Sequence, residues 1–124
     1  MAVLGLVVGG ALGTLARYLV SLASQAMFSG AFPTGTLLVN VVGCYLMGML
    51  TGLTPVAGLP PALHLALGTG FLGAFTTFST FALDTHTLTA DGAFGRATVY
   101  VLANLVLGYL ALIVGRFTAL RFAS

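Results

Sequence analysis

Residues 68–81 read Gly-Thr-Gly-Phe-Leu-Gly-Ala-Phe-Thr-Thr-Phe-Ser-Thr-Phe and place unusual chemistry inside an apolar stretch. Gly68, Gly70 and Gly73 loosen the backbone, and Thr76, Thr77, Ser79 and Thr80 supply hydroxyls. Phe75, Phe78 and Phe81 recur at every third position among them. In hydrocarbon, an irregular backbone persists only where protein buries it or where it lines a cavity. The segment therefore predicts a membrane helix broken mid-membrane, and such a break is a candidate ion site.

Other polar groups within apolar runs also need a reason, because burying them in a bilayer is costly. Thr36 and Asn40 lie one helical turn apart, and Tyr100, Asn104 and Gly108 form a stripe at steps of four. These groups suit either hydrogen bonding between helices or the lining of an anion path. An amide offers two N–H donors without a fixed charge, which fits a small, tightly hydrated anion. A phenyl ring presents positive edges, so paired rings favour an anion weakly, and weak contact at several sites is what conduction requires.

Few residues are available for other chemistry. His64 and His86 are isolated from other ligand types, and no Ser-His-Asp, Cys-His or paired-carboxylate set is visible. Asp84 and Asp91 are the only acids, and both read as members of one loop, with Asp84 closing the third span. Cys44 is a single cysteine in an apolar run and reads as an inert buried thiol. The expectation is a protein that is not an enzyme and has no organic cofactor.

The elements that carry these residues follow from hydropathy. The chain has 124 residues, of which 59% are hydrophobic and 5% charged, and its mean hydropathy is +1.13. A soluble domain of this size carries several times as many charges. Spanning the hydrocarbon core takes roughly 20 apolar residues, and four stretches qualify, at about 2–24, 35–53, 63–83 and 95–119. The first is too long for a signal-peptide core and reads as a retained membrane helix. The expected fold is one all-α domain of four transmembrane helices with short loops. Pro60 and Pro61 suit the entry to the third helix.

Four spans place both termini on one side of the bilayer. Arg116 and Arg121 belong to that side, and Arg17 and Arg96 to the other. With the arginines evenly split, the positive-inside rule selects neither orientation, which is compatible with insertion both ways and antiparallel self-pairing. Arg17, near the end of its span, is expected to snorkel to the interface. The scattered arginines form no cluster for nucleic acid or an anionic lipid surface. Gly5, Gly9 and Gly13 on the first span, and Gly48 and Gly52 on the second, form small-residue stripes for close helix packing.

Three segments together resemble the CrcB/Fluc family of fluoride channels across essentially the whole chain. They are Gly9-Gly-Ala-Leu-Gly-Thr-Leu-Ala-Arg17-Tyr18, Gly35-Thr-Leu-Leu-Val-Asn40-Val-Val-Gly43, and Gly70-Phe-Leu-Gly73-Ala-Phe-Thr76-Thr-Phe78-Ser-Thr-Phe81. The resemblance implies an antiparallel, dual-topology homodimer in the cell (inner) membrane, with two fluoride pores beside a central structural sodium ion (Na+). It assigns that ion to the backbone carbonyls of Gly73 and Thr76. It assigns the pores to Phe78, Phe81 and Asn40, with Ser79, Thr80, Thr36 and Tyr100 as further polar contributors. Asn104 and Gly108 stand where the family would have serines, and Asp84, at a vestibule, stands where a glutamate would be usual.

The implied function is passive, selective export of fluoride, which lowers its toxicity. Fluoride enters acidified cells as HF, ionises in the cytoplasm, and leaves through the channel down its electrochemical gradient. One alternative is a small proton-coupled multidrug exporter, which needs a carboxylate within a span. The other is a structural subunit of a larger membrane complex, which the glycine stripes permit but which gives no account of the hydroxyl-rich break.

Overall fold

The computed structural model describes residues 2–122. Among them the order is α1 (Ala2–Met27), α2 (Thr34–Ala57), α3 (Pro61–Leu65), a π-helical segment (Ala66–Leu72), α4 (Gly73–Phe75), α5 (Phe78–Ala90) and α6 (Phe94–Phe122). The described residues are all helix, turn or loop, with no strand. Four stretches are long and apolar enough to cross a membrane: Ala2–Met27, Thr34–Pro55, Pro61–Ala90 and Phe94–Phe122. Pro61 occupies the first turn of α3, where its missing N–H costs nothing, as the sequence suggests.

Each helix runs further than hydropathy indicates. The apolar run of the second span ends at Leu53, before Thr54-Pro55, yet α2 continues to Ala57 and closes on Gly58 at φ 57°. Proline is tolerated there because it removes one hydrogen bond near a helix end and leaves the earlier turns intact. The stretch from Asp84 to Gly92 is not the loop it resembles in sequence, since α5 runs through it to Ala90. The hydroxyls of Thr85, Thr87 and Thr89 donate to carbonyls one turn back, so these threonines are satisfied without leaving the helix. The helix then ends in a Schellman motif. Gly92 adopts φ 74°, Ala93 N–H donates to Leu88 at 2.9 Å, and Gly92 N–H donates to Thr89 at 3.0 Å.

Packing divides the bundle into two close seams, α2 against α6 and α1 against the π segment. Both are lined by glycine. A methyl group on Gly48 would overlap the Leu112 carbonyl and come within 2.9 Å of the Arg116 main-chain nitrogen. One on Gly115 would overlap the Tyr45 carbonyl, and one on Gly13 the Phe71 carbonyl. These helices meet backbone to backbone, as the glycine stripes predict. The buried apolar cluster is small, formed by Leu88, Ala97 and Tyr100 with Phe32, Leu37, Phe81 and Ala93 around it. Large apolar side chains instead face outward along α1 and α6, among them Val7, Leu12, Leu19, Leu105, Leu110 and Phe117. That outward face matches lipid as its solvent.

Candidate functional site

The site is built where α4 stops and α5 begins. Thr76 (φ −81°, ψ 160°) and Thr77 (φ −150°, ψ 121°) are extended. Asn40, projecting from α2, holds this step with both ends of its amide. Thr77 N–H donates to Asn40 Oδ1 at 2.9 Å, and Asn40 Nδ2 donates to the Thr77 carbonyl at 3.1 Å. Thr77 then acts as N-cap of α5, its hydroxyl oxygen accepting from Thr80 N–H at 3.2 Å.

These two contacts change the carbonyls beside them. In an unbroken helix, Thr77 N–H would donate to Gly73 and Thr80 N–H to Thr76. Here the first donates to Asn40 and the second to the Thr77 hydroxyl. The Gly73 and Thr76 carbonyls thus lose their helical donors, and Gly73 is exposed. Arg17 does not snorkel to the end of its helix. It lies ten residues before Met27, and its Nη1 reaches the Thr76 carbonyl at 3.5 Å. Because α1 runs on to Met27, Arg17 sits inside the helix beside the α4–α5 step and not at its last turn.

A second set of contacts continues from Asn40 across the bundle. Asn40 Nδ2 donates to Asn104 Oδ1 at 3.0 Å, and Asn104 Nδ2 donates to the Tyr100 carbonyl at 3.0 Å. Tyr100, fully buried, donates its hydroxyl to Asp84 Oδ2 at 2.9 Å. Thr36 donates to that same oxygen at 2.8 Å. The placement of Asp84 within α5 makes this convergence possible; as part of a loop, it would not face Thr36 and Tyr100 together. Asn40, Asn104, Tyr100, Asp84 and Thr36 therefore form one polar file over α2, α5 and α6.

Aromatic rings run beside the file. Phe78 and Phe81 lie 5.5 Å apart, and Phe81 lies 5.5 Å from Tyr100. Tyr100 also meets Phe32 edge-on at 5.5 Å. Phe75 is separated from this row by the break. It stacks on Phe71 and is 5% exposed, whereas Phe78 is 76% exposed. The three-residue spacing in sequence thus serves two different surfaces.

Clefts flank the break. One, of about 240 Å³, is lined by Asn40, Cys44, Thr76, Thr77, Phe78, Phe81, Asn104 and Leu105. Another, of about 230 Å³, opens beside Thr36, Thr80 and Asp84. Ser79 and Thr80 are exposed at the start of α5, where Thr77 Oγ1 donates to Thr80 Oγ1 at 3.0 Å. Gly108 is buried near Cys44 and offers no polar atom beyond its backbone. Sequence reasoning missed the capping role of Thr77, for which the only signal is a hydroxyl residue three before Thr80. It also missed that Cys44, one turn from Asn40, lines a cleft. No group of three or more His, Cys, Asp or Glu side chains that could hold a metal occurs among the described residues.

The profile of the family described as "CrcB-like protein, Camphor Resistance (CrcB)" matches residues 4–116. A protein of Maridesulfovibrio salexigens named "Fluoride-specific ion channel FluC" is 43% identical, covering 86% of each chain. One of the same name from Acidobacterium capsulatum is 42% identical over the whole of both chains. "Fluoride-specific ion channel FluC 2" of Moorella thermoacetica is 48% identical over 82% of this chain and 83% of its own. With four helices of membrane-crossing length and kinship along nearly its whole length, the chain is a multi-pass membrane protein and belongs to the CrcB-like family.

Proposed function

We propose that the protein is a fluoride-selective channel that lets cytoplasmic fluoride leave the cell passively. The carrying observation is the extended step at Thr76–Thr77, held by Asn40 at the head of a polar file, in a chain whose relatives are named fluoride-specific ion channels. The step lies at the middle of the third span. Hydroxyl and amide groups of the file replace part of the water around a small anion, and the Phe78 and Phe81 ring edges stabilise it weakly. Asp84 and Thr36 stand at the vestibule end. No step requires covalent chemistry, so the protein is not an enzyme.

The assembly we infer is an antiparallel homodimer with both insertion orientations, in the cell (inner) membrane. The sparse arginines are compatible with it: Arg17 is held against the mid-span Thr76 carbonyl, and Arg96 near one end of α6 and Arg116 and Arg121 toward the other leave little bias between the two orientations. The Gly73 and Thr76 carbonyls, deprived of helical donors, are hard oxygen ligands that fit a structural sodium ion. One chain supplies two such carbonyls, so a second copy completes the set. Bound there, the ion would tie the two copies together and take no part in transport. Arg17, within 3.5 Å of the Thr76 carbonyl, shares that oxygen.

The test uses purified protein in liposomes with a fluoride electrode. Fluoride efflux that chloride does not match is the expected result. Proton-coupled export of organic cations without a fluoride leak would overturn the reading in favour of an exporter that uses Asp84.

A further inference from the structure

A cleft at one end of the bundle holds two charges that the proposed path leaves unused. Its volume is about 310 Å³, with Phe32 and Leu88 as apolar wall and Gln25, Asp84, Asp91 and Arg96 at its polar positions. Gln25, Phe32 and Asp84 also line the neighbouring cleft, which reaches Thr36 and Thr80. The two are therefore continuous, and the outer one leads to the end of the polar file where Thr36 meets Asp84.

Helix stability does not account for the charges at this mouth. Asp91 closes α5 at its C-terminus, and Arg96 lies in the first turn of α6. The helix macrodipole favours a cation at the first of these places and an anion at the second, the reverse of what is found. Both residues are exposed, and neither side chain has a hydrogen-bond or ion-pair partner among the described residues. Asp84, by contrast, is held by Thr36 and Tyr100. The mouth thus presents two carboxylates and one guanidinium to an arriving anion, and only the guanidinium attracts it. Apolar walls of low dielectric focus such a field into the cleft.

We propose that Arg96 gathers anions at this mouth and that Asp91 opposes it, so that the two residues together set the rate of fluoride entry. The inference rests on the proposed fluoride path and adds an electrostatic control outside the polar file. Neither residue lines the clefts at the break. Both act at a distance, through the local concentration of the anion, and salt must therefore abolish their influence. The screening length falls from about 30 Å at 0.01 M ionic strength to about 3 Å at 1 M.

Charge changes at the two positions, read at two ionic strengths, test this. Wild type, Arg96→Gln, Arg96→Glu, Asp91→Asn and the double variant Arg96→Gln/Asp91→Asn are purified and reconstituted in liposomes of zwitterionic lipid. Only the fraction that elutes as wild type does is used. Initial fluoride efflux is measured at low fluoride, with sodium isethionate on both sides setting the ionic strength at about 0.01 M or about 1 M.

At low ionic strength, Arg96→Gln should lose about threefold and Arg96→Glu about tenfold, while Asp91→Asn should gain about twofold. The double variant leaves the mouth with the net charge of wild type and should stay within about twofold of it. At high ionic strength all four should converge on wild type. Losses at Arg96 that persist at high ionic strength would make the residue a structural one and overturn the proposal. An Asp91→Asn variant no faster than wild type, or a double variant as slow as Arg96→Gln, would overturn it as well. If Arg96→Glu fails to assemble, the three milder variants still decide. Wild type without fluoride efflux would instead refute the proposed function itself, so the two failures are distinguishable.

Discussion

Helix α2 takes part in two contacts built on opposite chemistry. Toward α6 it presents Gly48 and Gly52, and the two backbones approach with no room for a side chain between them. Toward the break it presents Thr36 and Asn40, which bridge to α5 and α6 by hydrogen bonds. The first contact depends on the absence of atoms, and the second on specific polar atoms. In a bilayer both are sensible, because apolar side chains gain little by leaving lipid for one another. The difference teaches where tolerance to substitution should lie: volume decides at the glycine seam, and donor–acceptor pairing decides at the break.

The largest expected effect tests the seam. Gly48→Val and Gly115→Val each place side-chain atoms on a backbone carbonyl of the facing helix. Overpacking a core costs about 1–3 kcal/mol even when side chains can yield, and backbone yields less. We expect loss of the assembled species, read by size-exclusion chromatography in detergent, with no fluoride flux. Assembly like wild type in both variants would show that the helices can separate, and that the seam is not what holds the bundle.

Asn40→Leu tests the break and should rank next. It conserves approximate volume but leaves Thr77 N–H and the Thr77 carbonyl without their side-chain partner. Leaving buried polar groups unpaired costs about 1–3 kcal/mol each. Flux should fall by roughly a hundredfold or more, while the α2–α6 seam keeps the protein monodisperse. Disassembly as complete as in the glycine variants would erase the distinction between the two contacts.

Tyr100→Phe and Thr36→Val probe the far end of the file, one hydroxyl at a time. Each leaves Asp84 Oδ2 with one donor in place of two. A hydrogen bond to a charged group is worth about 1.5–3 kcal/mol, and the remaining donor offsets part of that. Flux should fall several-fold in each, measured with the same electrode. A larger loss in the double variant than the product of the single losses would show that the two hydroxyls act as a unit on Asp84.

Much of this contrast is legible in the residues, and the part that is not has physical causes. The glycine stripes, the four apolar runs and Pro61 at a helix start are local signals, and each element appears where they suggest. Hydropathy ends a span at the first polar cluster, so it cuts α5 short at Asp84 and α1 short of Met27. Threonines that bond to their own helix look like loop residues in sequence, which is why α5 is longer than its pattern suggests. The Arg17 contact with Thr76 and the engagement of both Asn40 donors depend on residues 59 and 64 positions apart along the chain. No local pattern encodes them. The spacing of Phe75, Phe78 and Phe81 misleads for the same reason, since a period is informative only while the helix continues.

The smallest expected effect is the sharpest test of the comparison, because it uses the same residue type on the same helix. Gly108 and Gly115 lie two turns apart on one face of α6, and both are buried. A methyl on Gly115 overlaps a carbonyl, whereas one on Gly108 would rest 3.5 Å from Cys44 Sγ, an ordinary van der Waals contact. Gly108→Ala should therefore leave assembly intact and change stability by less than about 1 kcal/mol, with helix propensity favouring alanine. Gly115→Ala should destabilise visibly in a thermal unfolding experiment in detergent. If the two alanine variants unfold alike, backbone proximity is not what separates the seam from the polar file. If they differ, the seam ends between these two glycines, and Gly108 already belongs to the cleft side of α6, where added volume meets a thiol and not a backbone.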